Sequence, residues 1–255
     1  MSKNDAHSKG QYFTTNIYLK QCVYDLIQNN PDIILEPSIG QGDLIDFVCK
    51  QLDVKFHGYE IDEKIPLLPS INQENNTIVY DNFLVQEITT KYHTIIGNPP
   101  YVKTPSGNLY LDFIIDCFRL LRPNGELIFI VPSDFFKLTS STKIIQEMLS
   151  FGSFTHAIYP NQENLFENAS IDVVVFRYCK NPDLTNSIMV NGEQKYLMEK
   201  NGIVTFSETI CNNQDCIGDY FDIYVGMVTG CESIFKNEKY GNVTLIDSVQ
   251  KIFIV

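Results

Sequence analysis

From residue 16 to about residue 180, short apolar runs alternate with stretches of helical periodicity, and this alternation constrains the fold more than any other feature of the chain. Asn16 to Gln28 carries Ile17, Leu19, Val23, Leu26 and Ile27 at helical spacing and stops at Asn29-Asn30-Pro31. Seven strands are expected, at 32–36, 54–60, 77–80, 92–97, 126–131, 154–159 and 172–178, the last two as a closing antiparallel pair. Further helices are expected at 43–51, 109–121 and 142–149, with Pro123-Asn124-Gly125 as a turn. Such an order predicts an α/β fold: a doubly wound, mostly parallel sheet with helices on both faces. Sheets of this kind bind ligands beyond the carboxyl ends of their strands. Polar motifs directly after strands are therefore where chemistry is expected.

From residue 181 the character changes. "NPDLTNS" reads as a linker, and the rest holds short strand-like pieces with no strong helix. The expected division is a ligand-binding catalytic domain over 1–180 and a small C-terminal extension over 181–255. No run approaches the roughly 20 apolar residues of a membrane span. The polar start "MSKNDAHSKG" lacks the apolar segment of a signal peptide, so a cytoplasmic location is expected. The seven cysteines form no C-x-x-C pair and the four histidines are dispersed, so no metal site is expected.

Net charge limits the partners. The chain carries −12 overall, −7 over residues 1–180 and −5 over 181–255. Neither part is a basic nucleic-acid module. Any nucleic acid must be met by a local basic strip or by a partner that supplies phosphate contacts.

Four motifs follow four strands. Gly40-Gln41-Gly42 allows a tight turn and close backbone approach to a ligand, but the third glycine of a pyrophosphate loop is missing. Glu60, twenty residues beyond Gly40, ends the second strand and can accept from ribose hydroxyls. Asp81 can accept from an adenine amino group and Phe83 can stack on its ring. The fourth strand delivers "GNPPY" (97–101), where two prolines remove two donors and fix two φ angles. That corner suits a planar amine whose lone pair is delocalised. Asn98 Oδ1 and the Pro99 carbonyl would accept its two hydrogens and draw it toward tetrahedral geometry, with Tyr101 stacked on the ring. This is the sign-reversed counterpart of an oxyanion hole.

As a set, these motifs resemble the S-adenosylmethionine-dependent DNA adenine-N6 methyltransferases of the amino-methyltransferase family, in the class whose methionine-binding motif comes first. "GQYFTT" (10–15) resembles that leading motif and gives Thr14 the methionine contact, although Thr15 stands where the family often has proline. "EPSIGQG" (36–42) resembles the cofactor motif, which implicates Glu36, Pro37, Gly40 and Gly42. "YEID" (59–62) resembles the ribose-binding motif with Glu60 and Ile61, "DNFL" (81–84) the adenine-contacting motif, and "NPPY" the catalytic motif, with Asn98 also touching the cofactor. "ENLFENASIDVVVFRY" (163–178) resembles the segment whose aromatic residue holds the flipped base, a role that falls to Phe166. "VGMVTGCESIF" (225–235) resembles the start of a recognition region. The resemblance implies a seven-stranded Rossmann-like methyltransferase domain, S-adenosyl-L-methionine as cofactor, double-stranded DNA as partner, and base flipping with stacking on Tyr101 and Phe166. Restriction-linked protection, viral DNA marking and housekeeping methylation are all open as its biological role.

Other readings stay open at this point. A protein glutamine-N5 methyltransferase uses the same corner on a carboxamide and suits the acidic charge, but normally carries a helical domain ahead of the cofactor fold. An RNA adenine methyltransferase and a non-enzymatic, cofactor-binding subunit are the others. Recognition regions of the resembled class usually exceed 75 residues. The tail is therefore expected to be a partial or minimal recognition element, completed by a separate subunit or by a C-terminal domain missing from the chain.

Overall fold

A computed structural model of the chain describes residues 12–71, 74, 76–105, 107–160, 162, 165–166, 171–200 and 202–209. The expected element at 225–235, and most of the expected extension, lie outside these residues. In chain order the elements are α1 (Ile17–Leu26), β1 (Ile33–Glu36), α2 (Asp43–Leu52), β2 (Lys55–Glu60), β3 (Thr77–Tyr80) and β4 (Tyr92–Gly97). The two-residue strands β5 (Lys103–Thr104) and β6 (Gly107–Asn108) form a miniature hairpin ahead of α3 (Leu109–Leu120). Then come β7 (Leu121–Pro132), α4 (Thr139–Leu149), β8 (Ser153–Ile158), β9 (Val173–Cys179), β10 (Ser187–Val190), β11 (Glu193–Lys200) and β12 (Ile203–Ser207).

All seven expected strands form, in the order β8-β9-β7-β4-β1-β2-β3. Neighbours from β7 to β3 pair in parallel, and β9 runs antiparallel between β7 and β8. Buried residues of α1 and α2, such as Leu19, Val23, Ile45 and Val48, pack on one face of the sheet. Those of α3 and α4, such as Ile114, Cys117, Ile145 and Met148, pack on the other. The fold is a doubly wound, Rossmann-like α/β architecture.

The sheet does not stop at seven strands. β10 pairs in parallel with β8, and β11 and β12 continue antiparallel, giving ten strands in one sheet. The expected boundary at residue 180 therefore falls inside a compact unit that runs to Ile210. The Pro123-Asn124-Gly125 turn is also placed differently: it lies within β7, where the register against β4 shifts between Tyr92 and Thr94 and Asn124 takes φ 60°. Asn124 N–H donates to the Lys180 carbonyl and Lys180 N–H to that of Gly125, so the turn is stitched into the sheet as a bulge.

One buried ionic cluster ties the base of the sheet together. Glu126 accepts from Arg177 Nε at 2.9 Å and Nη2 at 2.8 Å, and from the Thr94 hydroxyl at 2.9 Å. It also accepts from the backbone N–H groups of Gln28 and Asn29, which leave the end of α1. Both carboxylate oxygens are thus fully used, which is what a buried charge requires.

Candidate active site

The carboxyl ends of β1, β2 and β4 share one rim of the sheet, and the four motifs converge there. β1 ends in a tight loop: Gly42 N–H donates to the Ile39 carbonyl and Ile39 N–H to the carbonyl of Tyr59 on β2. Gly42 is the N-cap of α2 at φ 87°, and a Cβ there would come within 2.1 Å of Ile71 Cδ1. Gly40 sits at φ 56°, and a Cβ on it would stand 3.0 Å from the Phe13 ring. Only glycine gives both the left-handed backbone and the open approach.

Glu60 closes this loop from β2. Gly40 N–H donates to its Oε2 and Asp62 N–H to its Oε1, both at 2.9 Å. Its carboxyl is 7% exposed, and burial raises its pKa against the lowering effect of those N–H groups. One backbone donor on each oxygen fixes the carboxylate and leaves further lone pairs for a ligand.

A cavity of about 600 Å³ opens beside it. Its lining includes Pro37, Gly40, Glu60, Ile61, Asp81, Phe83 and Asn98, all expected from the sequence. Phe83 forms an apolar wall, stacked on Phe113 with ring centroids 5.6 Å apart. Asp81 stands at the mouth, its oxygens accepting from Asn82 N–H and Gln86 Nε2. Ile61, 66% exposed, also lines the cavity.

Asn98 lies between this cavity and the N-terminal segment. Its Nδ2 donates to the Tyr12 carbonyl at 2.8 Å and to the Thr14 hydroxyl at 3.1 Å. The amide is therefore oriented by its partners, because a flipped oxygen would face the Tyr12 carbonyl. Oδ1 accepts from the Tyr101 hydroxyl at 2.6 Å, and that hydroxyl also lies 3.1 Å from the Ile130 carbonyl. Among the described residues, no backbone hydrogen bond is made to the Pro99 carbonyl.

Several expected residues do not reach the cavity. The side chains of Thr14 and Pro99 are buried, and Gly42 supports α2. Glu36 is 2% exposed, with Oε2 unpartnered among the described residues. Burial pushes its carboxyl well above the ordinary range, opposed by an N–H from Ile45 and reinforced by the charges of Asp43 and Glu60. Its place is under the loop, holding the first turn of α2. Tyr101 and Phe166 do meet, but edge to face at 6.4 Å and 84°, and Phe166 is 3% exposed. Tyr12 fills the remaining side, 5.5 Å from Tyr101 and 5.7 Å from Phe166. The three rings are packed together, with no open slot between them.

Sequence reading missed several lining residues, among them Tyr12, Phe13, Leu109 and Phe113. Leu109 and Phe113 stand four apart on α3, hence on one face. That spacing was a usable signal. Tyr12 and Phe13 flank Thr14 but reach the cavity only through tertiary folding.

The site fits a nucleoside-bearing cofactor. A fixed carboxylate, a glycine turn under close approach and an apolar slot between Ile61 and Phe83 are the groups that ribose and a purine require. Comparisons with known proteins agree. Residues 45–166 match the family described as Eco57I restriction-modification methylase. Over 231 residues the chain is 27% identical to Type II methyltransferase M.HincII of Haemophilus influenzae, covering 82% of this chain and 45% of that protein. Over 175 residues it is 30% identical to Modification methylase CviBIII of Paramecium bursaria Chlorella virus NC1A, covering 59% of this chain and 46% of that one. The chain thus spans less than half the length of these curated relatives. Among solved structures, a Listeria monocytogenes protein described as a class I S-adenosylmethionine-dependent methyltransferase superposes with TM-score 0.59 at 17% identity, covering 71% of this chain and 66% of that one. The type I restriction-modification methyltransferase subunit of Streptococcus thermophilus gives TM-score 0.53 at 15% identity, covering 74% and 48%. S-adenosyl-L-methionine is the cofactor that fold and family imply.

Proposed function

We propose that this chain, whose residues 45–166 match a restriction-modification methylase family, is an S-adenosylmethionine-dependent enzyme that methylates the N6 amine of an adenine flipped out of duplex DNA. The observation that carries this reading is the placement of Asn98. It lines the same cavity as Glu60 and Asp81, and its amide is turned so that Nδ2 holds the N-terminal segment while Oδ1 meets the Tyr101 hydroxyl.

When bound, the cofactor supplies a methyl group on a sulfonium centre. Glu60 would hold the ribose hydroxyls, Asp81 the adenine amino group, and Ile61 and Phe83 the purine faces. At the corner, Asn98 Oδ1 and the Pro99 carbonyl would accept the two N6 hydrogens. Accepting both concentrates the lone pair on nitrogen and stabilises the positive charge that grows there. Tyr101 and Phe166 would take the flipped base between them, offsetting part of the few kcal/mol that extrusion costs. For this the rings must part, and the Tyr101 hydroxyl must leave Asn98 Oδ1.

The same proposal extends to the rest of the chain. Residues 1–180 supply cofactor binding and catalysis, and the residues after 180, whose strands β10 to β12 continue the same sheet, lead into a target-recognition region. Tight DNA binding is completed by a further domain or a separate subunit, so the chain by itself binds DNA weakly but still transfers the methyl group at high DNA concentration. The test is incubation of the chain with methyl-labelled cofactor and, separately, duplex DNA, RNA and whole-cell protein, followed by digestion. N6-methyladenine from the DNA is expected. Label confined to protein glutamine or to RNA, or no transfer at all, would overturn the reading.

A further inference from the structure

A second pocket lies on the same rim as the first. β7 and β8 both run antiparallel to β9, and β10 runs parallel to β8. The carboxyl ends of β8 and β10 therefore face the same way as those of β1, β2 and β4. At that end Tyr18, Ile158, Tyr159, Gln162, Asn191 and Gly192 line an open pocket of about 420 Å³.

Its walls continue those of the catalytic corner. The segment that places Tyr12 against Tyr101 runs on into the first turn of α1, where Tyr18 is 37% exposed. The β8–β9 connection that brings Phe166 to the aromatic cluster brings Gln162 to this pocket. The far wall is rigid. Asn191 and Gly192 take φ 48° and 85° in the two-residue turn of the β10–β11 hairpin, a left-handed pair that this turn type requires. Asn191 Oδ1 accepts from Tyr159 N–H at 2.7 Å, and Asn191 Nδ2 donates back to the Tyr159 carbonyl at 3.3 Å.

The chemistry of the lining selects its ligand. None of the six residues is charged, so a phosphate would find no cation there. Two tyrosine rings and an exposed carboxamide are instead the groups that stack on a base and read its edge. We propose that this pocket is a base-binding subsite: it takes one nucleobase of the target DNA outside the flipped adenine, with stacking on Tyr18 and hydrogen bonding to Gln162. This inference rests on the DNA-methylation reading above. From β4 to β8 is three strand spacings, roughly 14 Å at about 4.8 Å each. Along a DNA strand that is about four nucleotides at roughly 3.4 Å apiece. The base read is therefore within about four positions of the target, on one side.

The test is methyl transfer by the full chain to duplex oligonucleotides randomised around a central adenine, with the methylated products sequenced. Tyr18→Ala should raise KM for the pool by about tenfold, the range expected for one lost base–aromatic stack. Tyr18→Phe should leave KM near wild type. Gln162→Ala, at an exposed position, should flatten the preference at one or two flanking positions. In all three variants kcat and cofactor affinity should stay within about twofold. If Tyr18→Ala fails to fold, Tyr18→Phe and Gln162→Ala still decide. An active wild type whose Gln162→Ala variant keeps both KM and sequence preference overturns the subsite alone. A wild type that methylates no member of the pool overturns the parent reading and the subsite with it.

Discussion

Asn98→Ala tests the corner, and the structure sets its size. The side chain donates to the Tyr12 carbonyl and the Thr14 hydroxyl and accepts from Tyr101. Two donated bonds vanish outright, whereas the Tyr101 hydroxyl keeps the Ile130 carbonyl. At about 1 kcal/mol for each net hydrogen bond, the fold should lose about 2–3 kcal/mol. For a chain of this size that lowers Tm by roughly 4–12 °C. Chemistry should suffer more. Removing one preorganised partner of a developing charge costs about 10²–10³ in kcat, and the same scale applies with the sign reversed. On the reading proposed above, Glu60 and the apolar wall hold most of the cofactor, so its affinity should fall by no more than about fivefold, as expected for one lost neutral contact. Asn98→Asp keeps the acceptors, loses both donors and sets a carboxylate against the Tyr12 carbonyl. It should therefore lose as much stability while retaining more activity than alanine. Thermal unfolding, calorimetric cofactor titration and methyl transfer below the lowest Tm separate the three quantities. Asn98→Ala within threefold of wild-type kcat refutes the role of Asn98. A loss of cofactor affinity as large as the loss of activity would make it a binding residue instead.

Glu60→Gln places an NH₂ group against one of two backbone N–H donors, so cofactor affinity should drop about tenfold or more, as for a lost bond to a charged group, in a calorimetric titration. Glu36 has a folded-state pKa raised by burial, so the native state holds its proton more tightly than the unfolded chain does. That stability is present below its ordinary value of 4.5 and is lost as pH rises through the raised one, so Glu36→Gln should melt higher than wild type at pH 8, with the gain vanishing toward pH 4.5 in a Tm series. Glu126→Ala leaves Arg177 buried without its partner and should cost about 3–5 kcal/mol, roughly 6–20 °C in Tm, while Arg122→Ala at an exposed position on the same strand should cost little.

The central strands β1, β4 and β7 were legible because they are buried on both faces and read as continuous apolar runs, as in Leu127 to Val131. β10 to β12 were legible as strands but not as part of that sheet. They are half-exposed strands at one side of the sheet, with β12 at its edge, and Ser187-Ile188-Met189-Val190 gives no sign that it pairs in parallel with β8. The motifs after β1, β2 and β4 were legible because glycine, glutamate and proline have few other uses at strand ends. Tyr12 was not. It reaches the corner across 86 residues, through a backbone carbonyl that any residue would supply. Glu36 was read from resemblance as a ligand contact, whereas its burial and the N–H it receives from Ile45 place it under the loop.

The pairing of Tyr101 with Asn98 explains how such a corner can wait without substrate. A bare amide oxygen kept out of water costs about 1–3 kcal/mol if nothing donates to it. The Tyr101 hydroxyl fills that need at 2.6 Å, from three residues along the same rigid turn. On the reading proposed above, an incoming amine displaces it, so one neutral donor replaces another and the net cost of exchange is small. The hydroxyl keeps the Ile130 carbonyl as an alternative acceptor, so it need not be stranded when it leaves. The ring it carries is the surface on which the base would stack. Releasing the acceptor and presenting the stacking face are then one motion of one side chain. A phenylalanine at 101 would keep the stacking surface, but leave the Asn98 oxygen uncovered whenever the site is empty.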